Sequence, residues 1–154
     1  MKKIQIISDK NQKSLKIKSN LLKILKDHSI QKLFHYARFD VAILMHSFKI
    51  EMDNIYCTKI ASKLVRTYTD RHGLKNLVQE MLKVDISKHQ QQSDWGAPKL
   101  TAAQLDYAAS DVLYLHKLRA AFNVLLQREG RMDVAQACFD FLPTRAKLDL
   151  AGWP

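Results

Sequence analysis

Leu100-Thr-Ala-Ala-Gln-Leu-Asp-Tyr-Ala-Ala-Ser-Asp111-Val-Leu-Tyr-Leu-His-Lys-Leu118 opens with a helix-start signal and places a carboxylate where a core residue is expected. Thr101 and Gln104 have capping-box spacing: the Thr hydroxyl accepts from the N3 amide, and the Gln side chain reaches back to the N-cap amide. Leu100 and Leu105 stand at the two positions of a hydrophobic staple. The apolar spacing predicts one helix from Thr101 to about Arg128, where Gly130 can end it. At about 100° per residue, the positions within roughly 60° of Asp111 are Gln104, Tyr107, Ala108, Leu115, Leu118 and Phe122. Asp106 lies about 140° away, on the solvent side, and reads as an ordinary surface acid. Asp111 is the unusual one, because burying a carboxylate costs several kcal/mol unless it is paired or binds a cation. Tyr107 lies over the same patch, one turn earlier.

Working outward, Asp40 repeats the pattern. Ala37–Phe48 has helical spacing, and the neighbours of Asp40 are Tyr36, Ala37, Ile43, Leu44 and Ser47, while Arg38 points away. Two inward acids from two helices could share a hard divalent cation, which takes a few carboxylates together with phosphate oxygens. Each could equally be satisfied by a basic side chain or backbone amides, and Tyr107 by itself reads as a core tyrosine.

Around these helices, Ile4–Ile7 and Leu15–Lys18 read as a hairpin across Ser8–Ser14, and Asn20–Lys26 as a short helix. Lys32–His35 and Ile55–Lys59 read as strands, Ile60–Val65 and Leu74–Leu82 as helices, and Ser87–Lys99 as a polar loop. Met132–Pro154 reads as one or two short helices. Strands alternating with helices indicate an α/β fold.

The chain has 154 residues, 47% of them apolar and 26% charged, which fits a single ordered domain. No apolar run is long enough for a membrane span, and the first ten residues have no signal-peptide core. Cys57 and Cys138 form neither a disulfide framework nor a zinc spacing, so a reducing cytoplasmic setting is expected, with Cys57 a small core residue. The formal net charge is +10, and residues 1–32 carry +7 of it, nine lysines against two aspartates with no arginine. This permits a polyanionic partner but also fits a solvated lysine surface. No serine or cysteine has a nucleophile arrangement, and no glycine-rich phosphate loop occurs.

Phe34-His-Tyr-Ala-Arg-Phe-Asp40 resembles the second exonuclease motif of the ribonuclease D family, and Tyr107-Ala-Ala-Ser-Asp111 resembles its third, Tyr-x-x-x-Asp. Thr58-Lys-Ile-Ala61, Gly73-Leu-Lys-Asn-Leu77 and Ser93-Asp-Trp95 match the spacers between them. The resemblance implies a ribonuclease H-like mixed sheet flanked by helices and a 3′→5′ exonuclease that releases nucleotides mainly from RNA. Four acids of such enzymes hold two Mg²⁺ or Mn²⁺ ions. Carried over, Asp40 and Asp111 are metal ligands and Tyr107 orients the attacking water. His35, Lys88, Gln91 and Trp95 are candidate contacts to RNA, with a strand-end histidine, a solvated loop and a core plug as the plain alternatives.

The family's first motif, Asp-x-Glu, does not occur in these 154 residues, whose three glutamates are Glu51, Glu80 and Glu129. Ile4-Gln-Ile-Ile-Ser8 resembles the family's second strand, so the expectation is a single exonuclease domain over 1–154 that lacks its first, central strand. The expected domain organisation includes no helical nucleic-acid-binding domain within these 154 residues. The sheet order 3-2-1-4-5 would then leave strand edges for another chain to fill. The expected function is RNA 3′-end exonucleolysis, tRNA precursors included, with little activity from this chain alone unless a separate peptide supplies Asp-x-Glu. The competing readings are a nucleic-acid-binding remnant or decaying gene product, and a DNA exonuclease of the same superfamily.

Overall fold

Buried β-branched and aromatic residues favour strand, and Ile55-Tyr-Cys57 is buried at every position. In the computed structural model, which describes residues 12–86 and 92–153, it forms β2 (Ile55–Cys57). β2 pairs in parallel with β1 (Lys32–Phe34), in the register Lys32↔Ile55, Leu33↔Tyr56, Phe34↔Cys57. Parallel neighbours need a crossover, and α2 (Ala37–Phe48) supplies it. Its buried face is Ala37, Val41, Ala42, Leu44 and Met45.

The remaining elements are helical. α1 (Gln12–Lys26) precedes β1; α3 (Thr58–Val65) and α4 (Leu74–Leu82) follow β2; α5 (Ala102–Leu113), α6 (Leu115–Arg128) and α7 (Met132–Leu150) complete the order. The core lies where α6 packs on α3 and α4, and where α7 packs on α2, α3 and β2. Leu115, Leu118, Phe122 and Leu126 line the inner face of α6, and Ala135, Phe139, Leu142 and Ala146 that of α7. The Phe139 ring lies 4.5 Å from that of Tyr56, whose hydroxyl donates to Asn123 Oδ1 at 3.0 Å. Burial pushes the Tyr56 phenol well above its ordinary pKa. Cys57 is buried, as expected.

Three expectations are corrected. Leu15–Lys18 is helical, inside α1, so the hairpin does not form there. Lys and Leu make up nine of the fifteen residues of α1, and both are better helix than strand formers. Its partner run, Ile4–Ile7, lies outside the described residues. The long helix is broken at Tyr114 (φ −99°, ψ −5°), which ends α5 and starts α6. The break lets α6 turn its leucine–phenylalanine face inward, while Gln104 is the one buried residue of α5. The tail is one 19-residue helix that continues through Pro143. The missing proline N–H removes one backbone bond, and Phe139, Leu142 and Ala146, buried on both sides of it, hold the helix together.

A guanidinium in the core fixes the segment after α3. Arg66 is 1% exposed and donates to both carboxylate oxygens of Glu80, to Ser62 Oγ at 3.0 Å and to the Arg71 carbonyl at 2.8 Å. Hydrogen bonds from Arg66 and Tyr68 hold the Glu80 carboxyl below its ordinary pKa. Glu80→Ala leaves this buried cation without its counterion. A fully buried pair would cost about 3–5 kcal/mol, and solvent reaches Glu80, so a loss of about 1–3 kcal/mol is expected from urea unfolding. A shift in ΔG below about 0.5 kcal/mol would show that the pair adds nothing.

Candidate functional site

The second motif is anchored from both ends. Tyr36 adopts a left-handed backbone (φ 65°, ψ 49°) as it leads into α2. Two residues on, Arg38 donates to Asp149 near the end of α7, Nε to Oδ2 at 2.6 Å and Nη2 to Oδ1 at 2.5 Å. Arg145 donates to Asp149 Oδ1 at 2.6 Å and to the Trp153 carbonyl at 2.9 Å. Hydrogen bonds from Arg38, then Arg145, hold the Asp149 carboxyl below the usual carboxylate range. Its stabilising contribution is therefore present at neutral pH and is lost only as pH falls through that depressed value. This clamp spans 111 residues of sequence and fixes the first turn of α2, where Asp40 stands half-buried.

His35 is oriented by the start of α3. Thr58 Oγ1 donates to the Phe34 carbonyl at 3.2 Å and so accepts from His35 Nδ1 at 3.0 Å. With that proton on Nδ1, the neutral ring offers Nε2 as an acceptor, and it can donate to a phosphate only when protonated.

The third motif is built by the capping box, which forms as expected. Gln104 N donates to Thr101 Oγ1 at 3.2 Å, and Thr101 N to Gln104 Oε1 at 2.8 Å. The amide end of Gln104 continues into the preceding loop, donating to Ser93 Oγ at 3.1 Å and the Asp94 carbonyl at 3.0 Å. This buried glutamine holds the loop against α5 and seats Trp95 beside Tyr107, with ring centroids 5.9 Å apart. Asp111 follows Tyr107 by one turn, and both are half-buried. Asp106 is exposed, as the wheel required. Leu105 is 55% exposed, so its half of the staple buries little.

The structure therefore sets Tyr107 and Asp111 one turn apart on α5 with Trp95 beside Tyr107, and His35 and Asp40 at the entry of α2. Lys88 and Gln91 lie outside the described residues. Among the described residues no three His, Cys, Asp or Glu side chains gather as one metal-binding group. Asp40 and Asp111 are each hard oxygen donors of the kind Mg²⁺ takes singly or in pairs. The sequence reading missed Lys59, whose Nζ stands 3.5 Å from the centroid of the Tyr36 ring. No local signal marks that contact, because α3 and the Tyr36 turn meet only through the fold.

Residues 4–127 match the family described as 3′–5′ exonuclease. The structure is similar to Brucella melitensis NrnC, with a TM-score of 0.85 and 61% identity over 87% of this chain and 65% of that one. NrnC has also been solved with bound Mg²⁺ and bound to pGG. A ribonuclease D of Gluconacetobacter diazotrophicus is 36% identical over 110 residues, 71% of this chain and 28% of its own. The structure of Escherichia coli RNase D, an exoribonuclease involved in structured RNA processing, gives a TM-score of 0.75 at 28% identity, over 83% of this chain and 34% of that one. The chain thus spans 26–28% of the length of three of the ribonuclease D relatives it matches. The ribonuclease D resemblance and the ribonuclease H-like α/β fold are borne out.

Proposed function

The chain belongs to the 3′–5′ exonuclease family, and from that premise we propose that residues 1–154 form one metal-dependent exoribonuclease domain in which Asp40, Tyr107 and Asp111 act at the scissile phosphate. The observation that carries this reading is the pair Tyr107 and Asp111, one turn apart on α5 in the Tyr-x-x-x-Asp motif, with Trp95 of the preceding loop, which Gln104 ties to the helix, beside Tyr107. Asp40 and Asp111 would hold Mg²⁺ or Mn²⁺ through their carboxylates. Bound there, the cation supplies positive charge to the phosphoryl transition state and lowers the pKa of a bound water.

The chain's own groups do the rest. The Tyr107 phenol, braced by Trp95, gives the attacking water a hydrogen-bond partner and so a direction. The Arg38–Asp149–Arg145 clamp keeps the first turn of α2, and with it the Asp40 carboxylate, in place. Single-stranded RNA 3′ ends are the proposed substrate. NrnC binding to pGG supports a short RNA, and tRNA precursors are the larger candidate. Two free cysteines, one buried and one half-buried, fit a cytoplasmic setting. No helix among the described residues is long and apolar enough to cross a membrane.

Two carboxylates provide half of the four-acid set, and the 154 residues contain no Asp-x-Glu. The chain by itself would therefore hold a metal pair poorly, and a separate peptide carrying Asp-x-Glu would complete it. Among the described residues β1 pairs only with β2, on one edge, and the other edge is the natural place for such a strand. The test joins an Asp-x-Glu strand to the N-terminus and assays labelled RNA with Mn²⁺. Stepwise 3′ shortening is expected from the joined protein and little from the chain alone. An inert joined protein would overturn the assignment of residue roles. Robust digestion by the chain alone would overturn its proposed dependence on a supplied Asp-x-Glu. The second reading, nucleic-acid binding without cleavage, is favoured by the same missing acids and would appear as salt-dependent RNA binding with no Mn²⁺-dependent product.

A further inference from the structure

Beside Asp40 the surface carries two large aromatic rings that the core does not use. Tyr36 is 46% and Phe39 45% exposed, although both belong to the turn that leads into a well-buried helix. Their centroids are 5.2 Å apart and their planes stand at 89°, so they form an open corner in which one ring is the floor and the other an edge. Each ring has a cation against it: Lys59 Nζ 3.5 Å from the Tyr36 centroid, and the Arg38 guanidinium 5.6 Å from that of Phe39.

Tyr36 also sits at φ 65°, in the left-handed region that a bulky residue occupies only under constraint. The chain accepts that strain without burying the side chain. Glycine would meet the backbone requirement more easily, so stability does not account for an exposed tyrosine here. Exposed rings beside cations are the combination that binds single-stranded nucleic acid: bases stack on the π-faces and cations meet the backbone.

We propose that the Tyr36–Phe39 corner is a stacking platform for one nucleobase of a single-stranded nucleic acid, with Lys59 beside it as a contact to the adjoining phosphate. The inference takes from the functional reading above only that the polymer is a nucleic acid, and it is tested without catalysis.

The experiment measures binding of a fluorescein-labelled six-nucleotide RNA to the full 154-residue chain by anisotropy, at one low salt concentration and without divalent metal. Tyr36→Gly removes the ring and relieves the left-handed strain, so folding is kept or improved while stacking is lost. Its Kd is expected to rise by about tenfold or more, with a melting temperature no lower than that of the parent. Tyr36→Phe keeps the ring and should restore binding. Phe39→Ala should weaken binding in the same sense, and an abasic oligomer of equal charge should bind weakly to the parent and be indifferent to Tyr36→Gly. Equal affinity of the Tyr36→Gly and Tyr36→Phe variants would overturn the platform, as would failure of the parent to bind the RNA. If the protein carrying an added Asp-x-Glu strand is catalytically inert while Tyr36→Gly still loses binding, the nuclease reading falls and the platform stands.

Discussion

Asp111→Asn, made in the protein that carries an added Asp-x-Glu strand, is expected to cut Mn²⁺-dependent release of nucleotides by about a thousandfold. The substitution changes neither size nor helix position. It replaces an anionic oxygen donor with a neutral amide, at a point where the metal's help to the transition state amounts to several kcal/mol, and each 1.36 kcal/mol is about tenfold in rate. Asp111 stands half-buried on α5, whose one buried residue is Gln104, and asparagine keeps its size and a polar oxygen there. The melting temperature should therefore move by little while activity collapses. Asp106→Asn, one turn and a face away, is the matched control because its side chain is exposed. A loss of less than about tenfold for Asp111→Asn would remove it from the metal site.

Phe122→Ala is expected to have the largest effect on stability, about 3–5 kcal/mol in urea or thermal unfolding. Phe122 is fully buried on α6, at the centre of the face that packs on α3 and α4. Truncation loses the transfer free energy of the ring and leaves a cavity that rigid helices on several sides cannot close. A domain of this kind has about 5–15 kcal/mol in total, so the variant should be partly unfolded at moderate temperature. Val124→Ala on the same helix, where the side chain is 65% exposed, should change stability by less than about 0.5 kcal/mol. Equal effects at the two positions would mean that α6 does not present the buried face described here.

The helices were legible where local chemistry and packing agree. Ala37–Phe48 and Leu74–Leu82 were read at their observed limits, and the Thr101–Gln104 capping box was read down to its hydrogen bonds, because each signal is contained within a few residues. The strands were read one and two residues too long, because β1 stops before His35 and the β-branched Thr58 opens α3 instead of extending β2. Leu15–Lys18 was misread because a run of four alternating residues fits a strand or a helix equally well. The break at Tyr114 was invisible for a different reason. Every residue from Thr101 to Arg128 tolerates a helix, and the interruption serves the direction in which α6 must enter the core.

The sequence by itself determined the two acids, the tyrosine one turn from the second of them, and the cap that starts their helix, since spacing along a chain dictates which side chains share a face. It also determined the family, through the residues of both motifs. Tertiary structure alone decided that Arg38 would meet Asp149, that Gln104 would seat Trp95 beside Tyr107, and that Lys59 would stand against one side of the Tyr36 ring. In the first and last of these the partners are brought together by elements packing around a shared core, and no local periodicity encodes which surfaces will meet.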